Sequence, residues 1–160
     1  MKGSKIASQP IATQYTLSKK QCQESKAEKE EMSKIPYANA IGSVMYVMVS
    51  TRPDLAYAIS VLSRFMTNPG KTHWLAMKWL LRYLIGTTKL RLKYKQQQGK
   101  TVIECFSDAD YVGDRDSRKS TSAYILLMGG NCVSWKVQLQ PVAALSTTES
   151  EYIATTEAIK

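Results

Sequence analysis

The sequence is poor in the residues that most often carry chemistry. A single histidine, His73, all but excludes histidine-based metal sites and catalytic triads. The three cysteines, Cys22, Cys105 and Cys132, are widely spaced and odd in number, with no CxxC pair. That excludes a disulfide framework and a cysteine zinc site. They read as free thiols, with Cys105 and Cys132 expected to be buried. Long apolar runs are also missing. The longest, Val44–Val49, falls far short of the roughly 20 residues that span a bilayer, so no membrane partner is expected. Met1–Gln14 lacks the apolar stretch of a secretory signal.

Acidic residues are absent from one long stretch. Residues 55–103 hold nine Lys/Arg and no Asp or Glu, a local charge of +9. Residues 1–54 hold eight Lys/Arg against five acids, and residues 104–160 hold five against eight. A basic middle therefore precedes an acidic end. Such a surface attracts polyanions, nucleic acid first among them. Lys78, Arg82, Arg91, Lys93 and Lys95 are the candidate phosphate contacts.

Three regions emerge along the chain. Residues 1–36 are polar and lysine-rich, and read as an extended arm with a short helical turn near Glu24–Met32. Residues 37–86 carry helical spacing. Ile41, Val44, Met45, Met48 and Val49 share one stripe, and Leu55, Ile59, Leu62 and Phe65 another behind Arg52-Pro53-Asp54. Trp74, Met77, Leu81 and Leu84 form a third, in a helix with Thr72 as N-cap and Gly86 at its end.

From residue 87 the period falls to two. Leu90, Leu92 and Tyr94 alternate with Arg91, Lys93 and Lys95, which predicts a strand with a basic face. A turn at Gln96–Gly99 and a strand over Thr101–Phe106 follow. Gly129-Gly130-Asn131 predicts a hairpin between Ser122–Met128 and Cys132–Val137. Ser146-Thr147-Thr148-Glu149 is a capping box that opens a last helix. The fold class is therefore α+β: a helical segment, then a small antiparallel sheet with one capping helix.

Two acidic clusters sit where strands and helices end. Ser107-Asp108-Ala109-Asp110, with Asp114 and Asp116 beyond it, closes an apolar strand. Glu149-Ser150-Glu151 opens the last helix. Hard oxygen donors in such places suit Mg²⁺ and phosphodiester hydrolysis with two metal ions. Glu149 already has a capping role, which leaves Glu151 as the freer carboxylate.

Several runs are familiar in order along nearly the whole chain. They are Ser50-Thr51-Arg52-Pro53-Asp54-Leu55, Leu62-Ser63-Arg64-Phe65-Met66, His73-Trp74, Leu81-Arg82-Tyr83-Leu84, Ser107-Asp108-Ala109-Asp110, Lys119-Ser120-Thr121-Ser122 and Ala144-Leu145-Ser146-Thr147-Thr148-Glu149-Ser150-Glu151-Tyr152. The sequence resembles the Copia-type retrotransposon polyprotein. That resemblance implies the tail of a reverse transcriptase followed by the first part of a ribonuclease H domain, an incomplete ribonuclease H-like fold over residues 87–160. It implies Asp108 and Glu151 as the first two catalytic, metal-binding carboxylates. Tyr111 stands where many relatives carry tryptophan. Two further aspartates of that site are expected downstream, so the chain is expected not to be an enzyme alone. No cofactor is expected beyond weakly held Mg²⁺.

Over its whole length, Glu30-Glu31-Met32-Ser33-Lys34-Ile35-Pro36-Tyr37-Ala38 included, the sequence also resembles secreted RxLR effectors of downy-mildew oomycetes. That implies a protein delivered into the host plant cell, to nucleus or cytoplasm. There it would meet a plant partner, modulate defence and suppress cell death. The segment nearest to the RxLR motif is Arg82-Tyr83-Leu84-Ile85. The other function in view is a retroelement fragment that binds RNA or RNA–DNA duplex without cleaving it.

Overall fold

A computed structural model describes residues 5–96 and 101–160. The chain divides into two compact units, Met1–Leu90 and Arg91–Lys160.

The first unit is helical: α1 (Lys26–Ser33), α2 (Tyr37–Thr51), α3 (Ala56–Ser63) and α4 (Lys71–Gly86), with single 3₁₀ turns at Lys19–Gln21 and Pro53–Leu55. A reciprocal capping box starts α1. Ser25 Oγ accepts from the Glu28 amide at 3.2 Å, and Glu28 returns its carboxylate to the Ser25 amide at 3.2 Å. Pro36 precedes α2 and Pro53 stops it. Ahead of α4 the expected cap moves. Gly70, not Thr72, is the N-cap, and its amide donates to His73 Nδ1 at 2.8 Å. At the other end Gly86 is the last helical residue and Thr87 the C-cap.

The core of this unit is Tyr37, Ile41, Val44, Leu55, Ile59, Leu62, Phe65, Met77 and Leu80. The stripe of the third predicted helix is rotated. His73, Ala76, Met77, Leu80 and Tyr83 are the buried face of α4, while Trp74, Leu81 and Leu84 only flank it. In α2, Met45 and Val49 are exposed, because Tyr37, Ile41 and Val44 already face the core.

The polar arm is not free-standing. Ala7 and Leu17 are buried, and Ile11, Tyr15 and Cys22 pack on the same core. Ile6 sits against Gly86 and the Gln21 carbonyl against Gly70. Between them the Trp79 indole donates to the Gln9 carbonyl at 2.9 Å and takes Tyr15 edge-on. Residues 6–21 thus run antiparallel to α4 as a strap along its length. Sparse apolar residues, each buried singly, achieve this without any periodicity.

The second unit is α+β. Strands β1 (Ile103–Asp110), β2 (Thr121–Met128) and β3 (Asn131–Leu139) form an antiparallel sheet in the order β1-β2-β3, followed by α5 (Thr147–Ile159). Gly129 (φ 56°) and Gly130 (φ 70°) make a two-residue turn between paired Met128 and Asn131. Two successive positive φ values are what a type I′ hairpin requires. The expected strand over Leu90–Tyr94 does not form. That segment has alternation but no ladder partner among the described residues. The Leu90 amide turns back to the Thr87 carbonyl at 3.0 Å, and Lys95 is tied by two bonds between its backbone and the Asn131 side chain. The turn expected at Gln96–Gly99 lies largely outside the described residues.

The cysteines also differ from expectation. Cys105 is exposed, and its thiol donates to the Ala158 carbonyl at 3.9 Å. Cys132 is half-buried, enough to push its thiol above the ordinary range. Among the described residues no helix is long and apolar enough to cross a membrane.

Candidate functional site

The site is built where α5 lies on the sheet. Ser107 and Thr155 share a hydrogen bond of 3.1 Å, and Cys105 reaches Ala158. Advancing along α5 therefore means moving back along β1, so the two elements run antiparallel. Glu151 lies one turn before Thr155 on the same side of the helix, about 6 Å nearer its start. That is about two strand residues beyond Ser107. Glu151 and Asp108 therefore belong to the same end of the β1–α5 pair. The Tyr111 hydroxyl donates to the Leu145 carbonyl at 3.3 Å and ties that end of β1 to the start of α5.

The pleat separates what the topology brings together. Ser107 faces α5. So does Ser122, the β2 residue opposite Ala109, because Gln140 joins it to Ser150 of the helix. Successive residues of a strand alternate between faces, so Asp108 turns to the other side with Phe106 and Asp110. Asp108 and Glu151 are both exposed, and no hydrogen bond or ion pair occupies either carboxylate among the described residues. Among the described residues there is no cluster of three or more His, Cys, Asp or Glu side chains able to hold a metal ion. Each carboxylate is an uncommitted hard oxygen donor, but the two do not converge on a shared ion.

Glu149 and Asp114 have structural roles. Glu149 completes a cap: its amide donates to Ser146 Oγ at 3.1 Å and its carboxylate accepts from the Leu145 amide at 2.7 Å. Asp114 is buried and organises the β1–β2 connection. It accepts from both the amide and the hydroxyl of Ser117, and its carbonyl accepts from the Arg118 amide. In the same loop Val112 (φ 56°) and Arg118 (φ 61°) adopt left-handed backbone. That is costly for a β-branched residue such as Val112, whose amide is held by Ser120 Oγ at 3.1 Å.

The basic candidates fall in both units. Lys78 and Arg82 are half-buried, one turn apart on α4, and the Arg82 guanidinium lies 4.7 Å from the Trp79 ring centre. Arg91, Lys93 and Lys95 are exposed in the second unit.

Sequence reasoning missed two polar centres. Arg52, 5% exposed, makes a bidentate pair with Asp54 at 2.9 and 2.8 Å and bonds to both the carbonyl and hydroxyl of Thr87. The Tyr83 hydroxyl donates to Asp54 at 2.9 Å. Burial pushes the Asp54 carboxyl up, but the Arg52 and Tyr83 hydrogen bonds and the Arg52 charge outweigh it and hold it below its ordinary value. The second centre is Gln140, buried among Ser120, Ser122 and Ser150. Neither residue type is common in interiors, and no spacing marks them out.

The fold and site together define an α+β chain whose second unit carries a strand-end and a helix-start carboxylate. Over nearly its whole length the chain is similar to Copia-type retrovirus-related Pol polyproteins. It is 50% identical over 157 residues to the Retrovirus-related Pol polyprotein from transposon TNT 1-94 of Nicotiana tabacum, covering 98% of this chain and 12% of that protein. It is 36% identical over 148 residues to the corresponding polyprotein from transposon RE2 of Arabidopsis thaliana, covering 92% of this chain and 10% of the relative. It is also 48% identical over 127 residues to Secreted RxLR effector protein 161 of Plasmopara viticola, which covers 79% of this chain and 89% of that protein. The chain thus spans about a tenth of the polyproteins and most of the effector. No family model matches it. No solved structure matches it either.

Proposed function

We propose that this chain is the stretch of a Copia-type polyprotein that joins the end of a reverse transcriptase to the start of a ribonuclease H domain, and that it binds RNA or RNA–DNA duplex without cleaving it alone. The observation that carries this reading is the placement of Asp108 and Glu151 at one end of the β1–α5 pair in a chain that matches such polyproteins almost end to end. Asp108 and Glu151 lie at the same end of the pair but on opposite faces of the sheet, so they do not converge on one Mg²⁺ ion. Their combined charge of −2 does not balance two divalent ions. The 160-residue chain is therefore expected to show no cleavage of an RNA–DNA hybrid in Mg²⁺ or Mn²⁺ above an Asp108→Ala control. Clear cleavage would overturn that part of the reading. Binding is tested by fluorescence anisotropy with the same hybrid across a salt series. Affinity should fall steeply with salt, and removing Arg91, Lys93 and Lys95 together should flatten the log–log slope by about 2–3. An unchanged slope would remove these residues from the interface.

A second reading rests on a separate observation, the match to most of a protein named as a secreted RxLR effector. In it the chain acts in a plant cell, nucleus or cytoplasm, through a host protein partner, and suppresses cell death without catalysis. Expression in leaf tissue beside a cell-death inducer tests it. Suppression by both the wild-type chain and an Asp108→Ala/Glu151→Ala variant would support it, and full necrosis with the protein present would refute it.

A further inference from the structure

We infer that the tip of the β2–β3 hairpin is a phosphate-binding site, made by Lys93, Lys95 and the Gly129–Gly130 turn and positioned by Asn131. The site deepens the nucleic-acid reading above, on which it rests for the source of the phosphate, and is independent of the carboxylates. Met128 pairs with Ile103 and Ala123 with Asp108, so the hairpin tip lies toward the other end of the sheet from Asp108. Lys93, Lys95, Gln96, Gly129, Gly130 and Asn131 line an open cavity of about 390 Å³. No Asp or Glu lines it, and neither lysine has an ion pair among the described residues.

Asn131 brings the lysine segment and the turn together. A carboxamide presents a carbonyl and an N–H side by side. Its Oδ1 accepts from the Lys95 amide at 2.7 Å, and its Nδ2 donates to the Lys95 carbonyl at 2.9 Å. One side chain thus takes both backbone groups of Lys95, as a neighbouring strand would. The same Nδ2 donates to the Gly129 carbonyl at 3.1 Å, so turn and lysine segment share one clamp. The turn itself adds two properties. Its glycines leave the surface open, and nothing lies within 4 Å of where a Gly130 Cβ would stand. The Gly129 amide is spent on the Val102 carbonyl at 2.9 Å, whereas the Gly130 amide makes no hydrogen bond among the described residues. Two ammonium groups and one turn amide are all donors, on separate atoms. That suits a tetrahedral oxyanion with several acceptor oxygens better than a flat carboxylate with two. Two like charges on one cavity repel, and a bound phosphate removes that cost.

The test titrates the chain with inorganic pyrophosphate and, separately, with the RNA–DNA hybrid. NMR reads the amide shifts of Lys95, Gly129, Gly130 and Asn131, and fluorescence anisotropy reads the hybrid. Pyrophosphate should shift these amides saturably. Lys93→Gln/Lys95→Gln should weaken pyrophosphate binding at least about tenfold, through the loss of two charge-assisted bonds. Lys136→Gln removes an exposed charge of β3 outside the cavity and should change it by less than about twofold. Asn131→Ala keeps both charges and removes the clamp, and should weaken it about threefold to tenfold. If Asn131→Ala does not fold, the lysine variants still decide the site. Unshifted amides at the hairpin tip would overturn the inference, as would equal losses in Lys136→Gln and Lys93→Gln/Lys95→Gln. Wild-type affinity in a folded Asn131→Ala would overturn the positioning by Asn131. The hybrid arm identifies the source of the phosphate. Hybrid binding weakened about tenfold in Lys93→Gln/Lys95→Gln assigns the site to the nucleic-acid backbone, and wild-type hybrid affinity in that variant assigns it to a free phosphate compound. A wild-type chain that binds pyrophosphate but no hybrid would defeat the nucleic-acid reading and leave the site standing.

Discussion

Replacing Arg52 with methionine should cost the helical unit about 3 kcal/mol of unfolding free energy. The guanidinium makes four hydrogen bonds, two to Asp54 and two to Thr87, from a nearly fully buried position. Methionine keeps the stem volume and loses all four. Asp54 would then hold its charge with Tyr83 and its own backbone amide as donors. Removing one partner of a buried pair typically costs about 3–5 kcal/mol. The Asp54 side chain is 26% exposed, so water recovers part of that and the low end applies. Urea unfolding of both proteins at pH 7 measures the difference. Asp54 also gives the effect a pH signature. Its folded pKa lies below the ordinary 3.8, so its contribution is fully present above that value and is lost as pH falls through the folded pKa. The gap between wild type and Arg52→Met should therefore narrow below about pH 4. A difference under 1 kcal/mol, or one that does not change between pH 7 and pH 3, would refute the reasoning.

Three further outcomes are expected. Tyr37→Phe should cost about 1 kcal/mol in the same assay, because its hydroxyl donates to the Leu62 carbonyl at 2.9 Å and that carbonyl keeps a second donor in the Phe65 amide. Burial raises the Tyr37 hydroxyl, so the wild-type chain should lose this contribution as pH climbs beyond 10, and Tyr37→Phe should not. Gly70→Ala should destabilise by about 1–3 kcal/mol, since the new methyl meets the Gln21 carbonyl, whereas Gly42→Ala, with open space around it inside α2, should stabilise by about 0.5–1 kcal/mol; thermal melts of the two give opposite signs or the strap is misplaced. Asp108→Ala/Glu151→Ala should leave the midpoint within about 0.5 kcal/mol of wild type, as both side chains are exposed and uncommitted; a larger loss would give these carboxylates a structural role.

The parts of this fold that were legible in the sequence are those written by local rules. The helical spacing of Leu55, Ile59, Leu62 and Phe65, the glycine pair of the hairpin and the cap of Ser146 each depend on residues a few positions apart. What escaped depends on neighbours distant in sequence. Leu90–Tyr94 has the alternation of a strand, but a strand exists only where another offers a ladder. The rotation of α4 is set by what already fills the core from α2 and α3. Asp108 and Glu151 could be picked out as residues, yet their relation could not, because the pleat sends Asp108 to the face that α5 does not cover. Gln140 was invisible for a simpler reason: glutamine after a strand reads as surface, and only the three buried serines around it show otherwise.

The contact of Ile6 with Gly86 means that the helical unit is entered and left at nearly the same point in space. Topologically it is a closed loop hung on the main chain. A module with its two ends together can be inserted into a longer polypeptide, or flanked by one, without its neighbours being pulled apart. The roughly eighty residues between Ile6 and Gly86 thus return the main chain to nearly the point where they began.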